Sequence, residues 1–193
     1  MATDFISPDW DAPLEVGAYV RATPRTAQIK GMFISAVVDA CREKGHALAG
    51  ARDRYVAFND YPLIEHLELM ACGAPLLFPD RSLRRALRSI GRASYSTFVR
   101  SMVGRVVFGG SAIEILPSIE AMIRGYEVSM PSAKIHLVDS SPNHATLRMS
   151  AMHTFYDSHH VGVFEGVAHA CGLRAEVLVR PHSLIAGDML IKW

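Results

Sequence analysis

The sequence predicts an α+β fold, with an N-terminal helical half and then a four-stranded antiparallel sheet made of two hairpins bracketing one helix. Three observations carry this expectation. Between residues 26 and 125, apolar side chains recur at i, i+3, i+4 and i+7, the spacing of helices with one face on a core. From about Glu127 the period changes to apolar runs of strand length separated by turn residues. Between two pairs of such runs lies Tyr156–Gly172, YDSHHVGVFEGVAHACG, whose apolar residues Val161, Phe164, Val167, Ala168 and Cys171 return to helical spacing.

The elements follow in order. Residues 1–25 read as an irregular arm with Pro8, Pro13 and Pro24, in which Leu14–Val20 is expected as a short edge strand. Thr26 caps a helix carrying Ile29, Met32, Phe33, Ala36, Val37, Ala40 and Cys41 inward, and Gly45 ends it. Asp60 and Pro62 open a second helix with Leu63, Ile64, Leu67 and Ala71 inward, stopping at Gly73. Asp80 caps a third with Leu83, Ala86, Leu87 and Ile90 on one face, closed by Gly91. Ser94 caps a fourth with the stripe Tyr95, Phe98, Val99, Met102, Val103, Val106 and Val107, broken by Gly109-Gly110. Ser111-Ala-Ile-Glu114 is a capping box for a fifth, restarted at Pro117 and running to Gly125.

In the second half, 127–193, Ala133–Val138 and Ala145–Met152 are expected strands joined by the turn Ser140–Asn143. Arg174–Arg180 and Asp188–Trp193 form the second pair around Pro181–Gly187. In the helix between the pairs, Asp157 or Ser158 caps the start and Gly172 ends it. Its second stripe is small: Ser158, Gly162, Gly166 and Ala170. Glycine costs about 1 kcal/mol against alanine inside a helix, so two on one stripe imply that another backbone comes close.

Half of the 193 residues are hydrophobic, enough for one domain, 1–193, with a sizeable core. A net charge of +1 gives no global field toward nucleic acid or membranes. No apolar run reaches the ~20 residues of a transmembrane helix, and no basic start followed by an apolar stretch marks a signal peptide. Three dispersed cysteines, Cys41, Cys72 and Cys171, read as buried thiols on apolar helix faces in a reducing compartment, and the expected location is cytoplasmic.

Three stretches carry a family resemblance: Ile29-Lys-Gly-Met-Phe33, Ser89-Ile-Gly-Arg92 and Val161-Gly-Val-Phe-Glu-Gly-Val-Ala-His-Ala-Cys-Gly172, with a tryptophan closing the last strand. Together they resemble a family of unknown function that is numerous as paralogues in myxobacteria. The layout is similar to a superfold shared by haem–nitric-oxide-binding domains, vinyl-reductase-type small-molecule domains and Golgi-transport tethering subunits. That resemblance implies an α+β domain that holds an apolar ligand or serves as an assembly part, without fixing which. Haem–nitric-oxide domains take their axial histidine from a mid-chain helix, and the equivalents here, Ser82–Ile90 and Tyr95–Phe108, contain no histidine. Their Tyr-x-Ser-x-Arg motif has its nearest match at Tyr156-Asp-Ser158-His-His160, where histidine replaces arginine. Haem held in that manner is not expected, and no cofactor is predicted.

Four local features remain. His153, His159 and His160 lie close together, but they lack HExxH or CxxC spacing, so they read as surface or loop side chains and only as weak metal candidates. Arg81, Arg85, Arg88 and Arg92 share one helix side, with Arg84 beside them. Such a row is usually a solvated face paired with neighbouring acids; its functional reading is docking of an acidic partner, a nucleotide or an anionic lipid surface. No aromatic residues interleave the arginines, which argues against nucleic acid. Tyr95, Phe98, Met102, Met149 and Met152 are the candidate lining of an apolar pocket between helix and sheet, although methionines fill ordinary cores too. No acid, base and nucleophile converge in the sequence, which points away from an enzyme. The expected function is therefore a non-enzymatic small-molecule-binding or sensor domain. The alternative is an adaptor acting through protein–protein contacts or self-association, at the arginine face or a sheet edge.

Overall fold

A computed structural model describes residues 4–100 and 114–193, with residues 97–100 as backbone only. The α+β layout is as expected. Helices α1 (Val16–Ala22), α2 (Gly31–Glu43), α3 (Leu63–Leu77), α4 (Leu83–Arg100) and α5 (Ile115–Ser129) precede the sheet. Strands β3 (Lys134–Ser141) and β4 (His144–Ser150) form one hairpin, and β5 (Glu176–Ser183) and β6 (Ala186–Lys192) the other. Short strands β1 (Gln28–Lys30) and β2 (Asp60–Pro62) pair ahead of α2 and α3. The main sheet is antiparallel throughout in the order β3-β4-β6-β5, so the two hairpins join through β4 and β6. Between them runs a π-helical turn, Tyr156–His160, leading into α6 (Val161–Ala170).

The period-two pattern places Ile135, Leu147, Met149, Val177, Val179, Met189 and Ile191 in the core. Helix α5 packs on β3, and α6 on β5. Asp188, wholly buried on β6, accepts from its register partners Arg148 on β4 (3.0 Å) and Arg180 on β5 (2.6 Å). Trp193 closes the last strand, its indole donating to the Pro142 carbonyl at 2.9 Å.

The sheet is covered through α6, and α6 itself is enclosed. Val161 to Ala168 are all buried, and the principal neighbour is α4. The small stripe is where the two helices touch. A Cβ at Gly162 would lie 1.9 Å from the Arg88 carbonyl oxygen, and one at Gly166 would lie 2.7 Å from that of Arg92. On the other helix, a Cβ at Gly91 would lie 2.0 Å from the His159 carbonyl oxygen. The close backbone approach inferred from the stripe is thus helix against helix.

Several boundaries differ from expectation, each for a tertiary reason. Leu14–Val20 is not an edge strand; α1 forms there, with Tyr19 buried edge-on against Phe155 at 4.8 Å. The helix expected from Thr26 starts at Gly31, because Gln28–Lys30 pairs with Asp60–Pro62. Gly73 does not stop α3, which continues through Pro75 to Leu77; this glycine lets the helix approach Val37 and Cys41. Gly91 does not separate two helices either: the expected third and fourth are one, α4, and the glycine is there for α6. Cys41 is buried as expected, whereas Cys72 is exposed and Cys171 half-buried. The capping box at Ser111–Glu114 and the stripe beyond residue 100 lie outside the described residues, apart from Glu114.

Candidate functional site: a histidine-walled cavity

A cavity lined by described residues lies where α2, α3, α4, α5 and the π turn meet. Its walls are Ile29, Phe33, Tyr95, Met122, Met130 and Val163, with His66, Tyr126, Thr154, His159 and His160 supplying polar atoms. The space open to the centre of a water-sized sphere is about 30 Å³. A single water needs roughly 10–15 Å³ on that measure, so the cavity holds one or two small groups.

The backbone that builds the polar wall is unusual. Ala151 and Phe155 have φ of 53° and 58°, left-handed values that side-chain-bearing residues rarely adopt. They bracket the segment that carries His153 and Thr154. The Phe155 carbonyl then accepts from the amides of Ser158, His159 and His160 at 3.1, 2.8 and 3.4 Å, the last an i to i+5 bond that defines the π turn. Widening the turn brings two adjacent histidines inward with ring centres 5.0 Å apart. Single π turns and left-handed non-glycine residues collect at functional sites because the surrounding structure must hold them in place.

The histidines therefore correct the sequence reading. His153, His159 and His160 are 2%, 7% and 1% exposed, not surface side chains. Adjacency on a helix normally turns one of two neighbours outward, but the turn from Ser158 and α6 as far as Ala168 are buried all round, so neither imidazole faces water. His66 on α3 joins them at 3% exposure. Burial pushes the His66 imidazole down to about 3, with His159 adding to the effect, and pushes His159 down to about 4. Burial likewise holds His160 well below its ordinary value, with His159 and His66 contributing. All three are neutral at pH 7.

Their hydrogen bonding separates them. His160 is satisfied on both nitrogens, Nδ1 by the Tyr126 hydroxyl and Nε2 by the Thr154 hydroxyl, each at 2.5 Å. A neutral imidazole has one donor and one acceptor, so one of those hydroxyls donates and the other accepts. Among the described residues, Nδ1 of His66 and Nδ1 of His159 are buried with no partner. An unsatisfied buried polar atom costs about 1–3 kcal/mol, and two such groups lining one void need an explanation. His153 Nδ1 is also unpartnered, but this residue does not line the cavity.

Of the expected pocket residues, Tyr95 lines the cavity. Met149 and Met152 are buried in the core and are not part of its lining. Met102 and the side chain of Phe98 lie outside the described residues. His66, Tyr126 and Thr154 were not singled out from sequence. His66 was the legible one, since it stands three after Leu63 and four before Met70, a polar residue on the inward face of α3.

The arginine row of α4 is largely engaged. Arg85 forks onto Asp11 at 2.8 and 2.7 Å, and Arg84 bonds Asp157 at 2.6 Å. Arg88 and Arg92 share Glu165 of α6. Arg81 bonds the Ser89 hydroxyl and lies over the Phe78 ring at 5.0 Å. Among the described residues no group of three or more His, Cys, Asp or Glu side chains is placed to hold a metal ion. Nor is any helix long and apolar enough to cross a membrane.

Comparison with solved structures returns H-NOX domains. An Fe(II) unliganded H-NOX protein from K. algicida is similar with a TM-score of 0.62 at 15% identity, over 85% of this chain and 96% of that one. An H-NOX protein from S. oneidensis in the Fe(II)NO ligation state gives 0.54 at 16% identity, over 85% and 98%. An oxygen-binding H-NOX domain related to soluble guanylate cyclases gives 0.59 at 13%, over 84% and 91%. At such identities the likeness is one of fold. The first two of those proteins are Fe(II) forms, the third binds oxygen, and haem distortion is described in another H-NOX protein of this fold, so the fit of a haem can be tested here. It fails in the histidine-walled cavity. A ligand of that size needs a pocket of several hundred Å³, against about 30 Å³ here. The described part of α4 carries no histidine, and both nitrogens of His160 are taken by hydroxyls. No curated protein sequence matches the chain. A family model does match, over residues 22–193, so nearly the whole of this H-NOX-like fold belongs to DUF2378, a family of proteins of unknown function.

Proposed function

We propose that the chain is a non-enzymatic binding or sensor domain for a small neutral molecule, mostly apolar with one hydrogen-bonding end, taken up in the histidine-walled cavity. One observation carries the reading. Nδ1 of His66 and Nδ1 of His159 are buried without partners among the described residues, and both residues line the same apolar void. Neutral imidazoles suit a neutral ligand, since a charged one would enter an apolar site at a desolvation cost of several kcal/mol. The present volume admits a group of one or two heavy atoms, so a larger ligand enters by spreading the π turn away from α3.

The test is a titration of the purified protein with phenol, indole, benzyl alcohol and toluene, followed by imidazole NMR signals and melting temperature. The expected result is that a polar-ended member shifts the His66 or His159 resonances and raises the melting point, while toluene does less. If none of the four moves either resonance, the cavity is packing space and the reading is wrong.

A further inference from the structure

The arginine face of α4 offers a second site, independent of the cavity, and the chain's own amino-terminal arm shows how it is used. Over Asp9–Ala12 the arm lies along α4 as an acidic turn, with the Asp11 amide donating to the Asp9 carboxylate at 3.1 Å. The Asp11 carboxylate accepts two bonds from the Arg85 fork, at 2.8 and 2.7 Å. The Trp10 ring lies under the Arg88 guanidinium at 4.3 Å. Backbone carbonyls are held as well: Ser82 donates to that of Trp10, and Arg84 Nε to that of Ala12 at 3.2 Å. The face thus recognises three features together: a carboxylate, an indole and the carbonyls of a turn.

The arm covers only one side of the row. Beside it runs an open groove of about 150 Å³ lined by Arg81, Arg85, Arg88, Ser89 and Arg92. Five arginines, Arg81, Arg84, Arg85, Arg88 and Arg92, stand on this face, against three carboxylates in ion-pair contact with them, Asp11, Asp157 and Glu165. Asp9 acts on Arg85 at longer range, and the face keeps a positive surplus at Arg81 and Arg92. Among the described residues Arg81 has no carboxylate within ion-pair distance, and Arg92, with its side chain 53% exposed, shares Glu165 with Arg88. Guanidinium forks favour planar carboxylates, which they bind bidentately.

We infer that this groove docks an acidic, tryptophan-containing segment of a partner protein, laid beside the arm, and that Asp11 competes with it for Arg85. A short fluorescein-labelled peptide of aspartates and glutamates around one tryptophan tests this by fluorescence anisotropy on the full chain. The peptide should bind at low salt and weaken as salt rises, because exposed charges are screened over about 8–10 Å near physiological ionic strength. Arg81→Glu should weaken binding about fivefold or more, since a favourable exposed pair becomes a repulsion. Asp11→Ala should tighten binding by freeing Arg85. A lysine peptide of the same length should not bind. The inference is overturned if Arg81→Glu and wild type bind alike, or if Asp11→Ala binds no better than wild type. It is equally overturned if inorganic phosphate binds alone and displaces the peptide, which would make the groove a small-anion site. Melting curves of both variants confirm that each is folded, since among the described residues Arg81 has no ion pair to lose and Asp11 is on the surface.

Discussion

Substituting Gly162 by alanine tests the contact on which the fold turns. The added Cβ would sit 1.9 Å from the Arg88 carbonyl oxygen and 2.8 Å from its carbonyl carbon, where ordinary contacts begin near 3.4 Å. The obstacle is helix backbone, so no rotamer change relieves it, and α6 has to withdraw from α4 by about 1.5 Å. Overpacking of this kind costs typically 1–3 kcal/mol, and a backbone clash belongs at the upper end, about 3. Alanine returns about 1 kcal/mol in helix propensity. The net is a loss of about 2 kcal/mol, or roughly 4–8 °C in melting temperature for a chain of this size. Gly166→Ala, whose nearest clash is 2.7 Å, should lose less. Gly17→Ala in α1 meets only the flexible end of Arg21, at 3.1 Å, and should be neutral or gain up to ~1 kcal/mol. Circular-dichroism melts of the three variants provide the assay. If Gly162→Ala melts at or above wild type, or alongside Gly17→Ala, the interlock of α4 and α6 does not hold the molecule together.

Two further predictions concern the buried imidazoles. Below about pH 6.5 an unfolded chain protonates these histidines, while the folded chain keeps His159 neutral down to about 4 and His66 down to about 3. Stability is therefore complete above pH 6.5 and falls as pH drops toward those values, by up to roughly 2 kcal/mol per imidazole between pH 7 and pH 5. Urea unfolding across that range should show a shallower acid slope for His159→Leu than for wild type, and an unchanged slope would mean that the imidazole is solvated. Tyr126→Phe strips His160 Nδ1 of its partner and should cost about 1–3 kcal/mol in the same assay at pH 7; a neutral or stabilised variant would show that this hydroxyl does not support the cavity wall.

Periodicity and turn chemistry in the sequence were enough to determine the fold class, both hairpins, the helix between them and its small stripe. Those signals are local: the alternation at Val177–Val179, the turn near Asn143 and the repeat Gly162, Gly166 each state what their own segment must bury or approach. What a glycine is for was not legible. Gly91 and Gly73 read as helix ends, and both prove to be contact points inside longer helices, because only the partner backbone reveals a steric demand. The same limit applies to the site. Adjacent His159 and His160 looked half-exposed, since helical periodicity assumes one wet face, and only tertiary enclosure of α6 removes it. Their convergence with His66 spans more than ninety residues of chain and depends on a π turn that no residue pattern announces. The arginine row was plain in the sequence at helical spacing. Which carboxylates meet it, Asp11 from the arm and Glu165 from α6, was decided by the packing of distant segments onto one helix face.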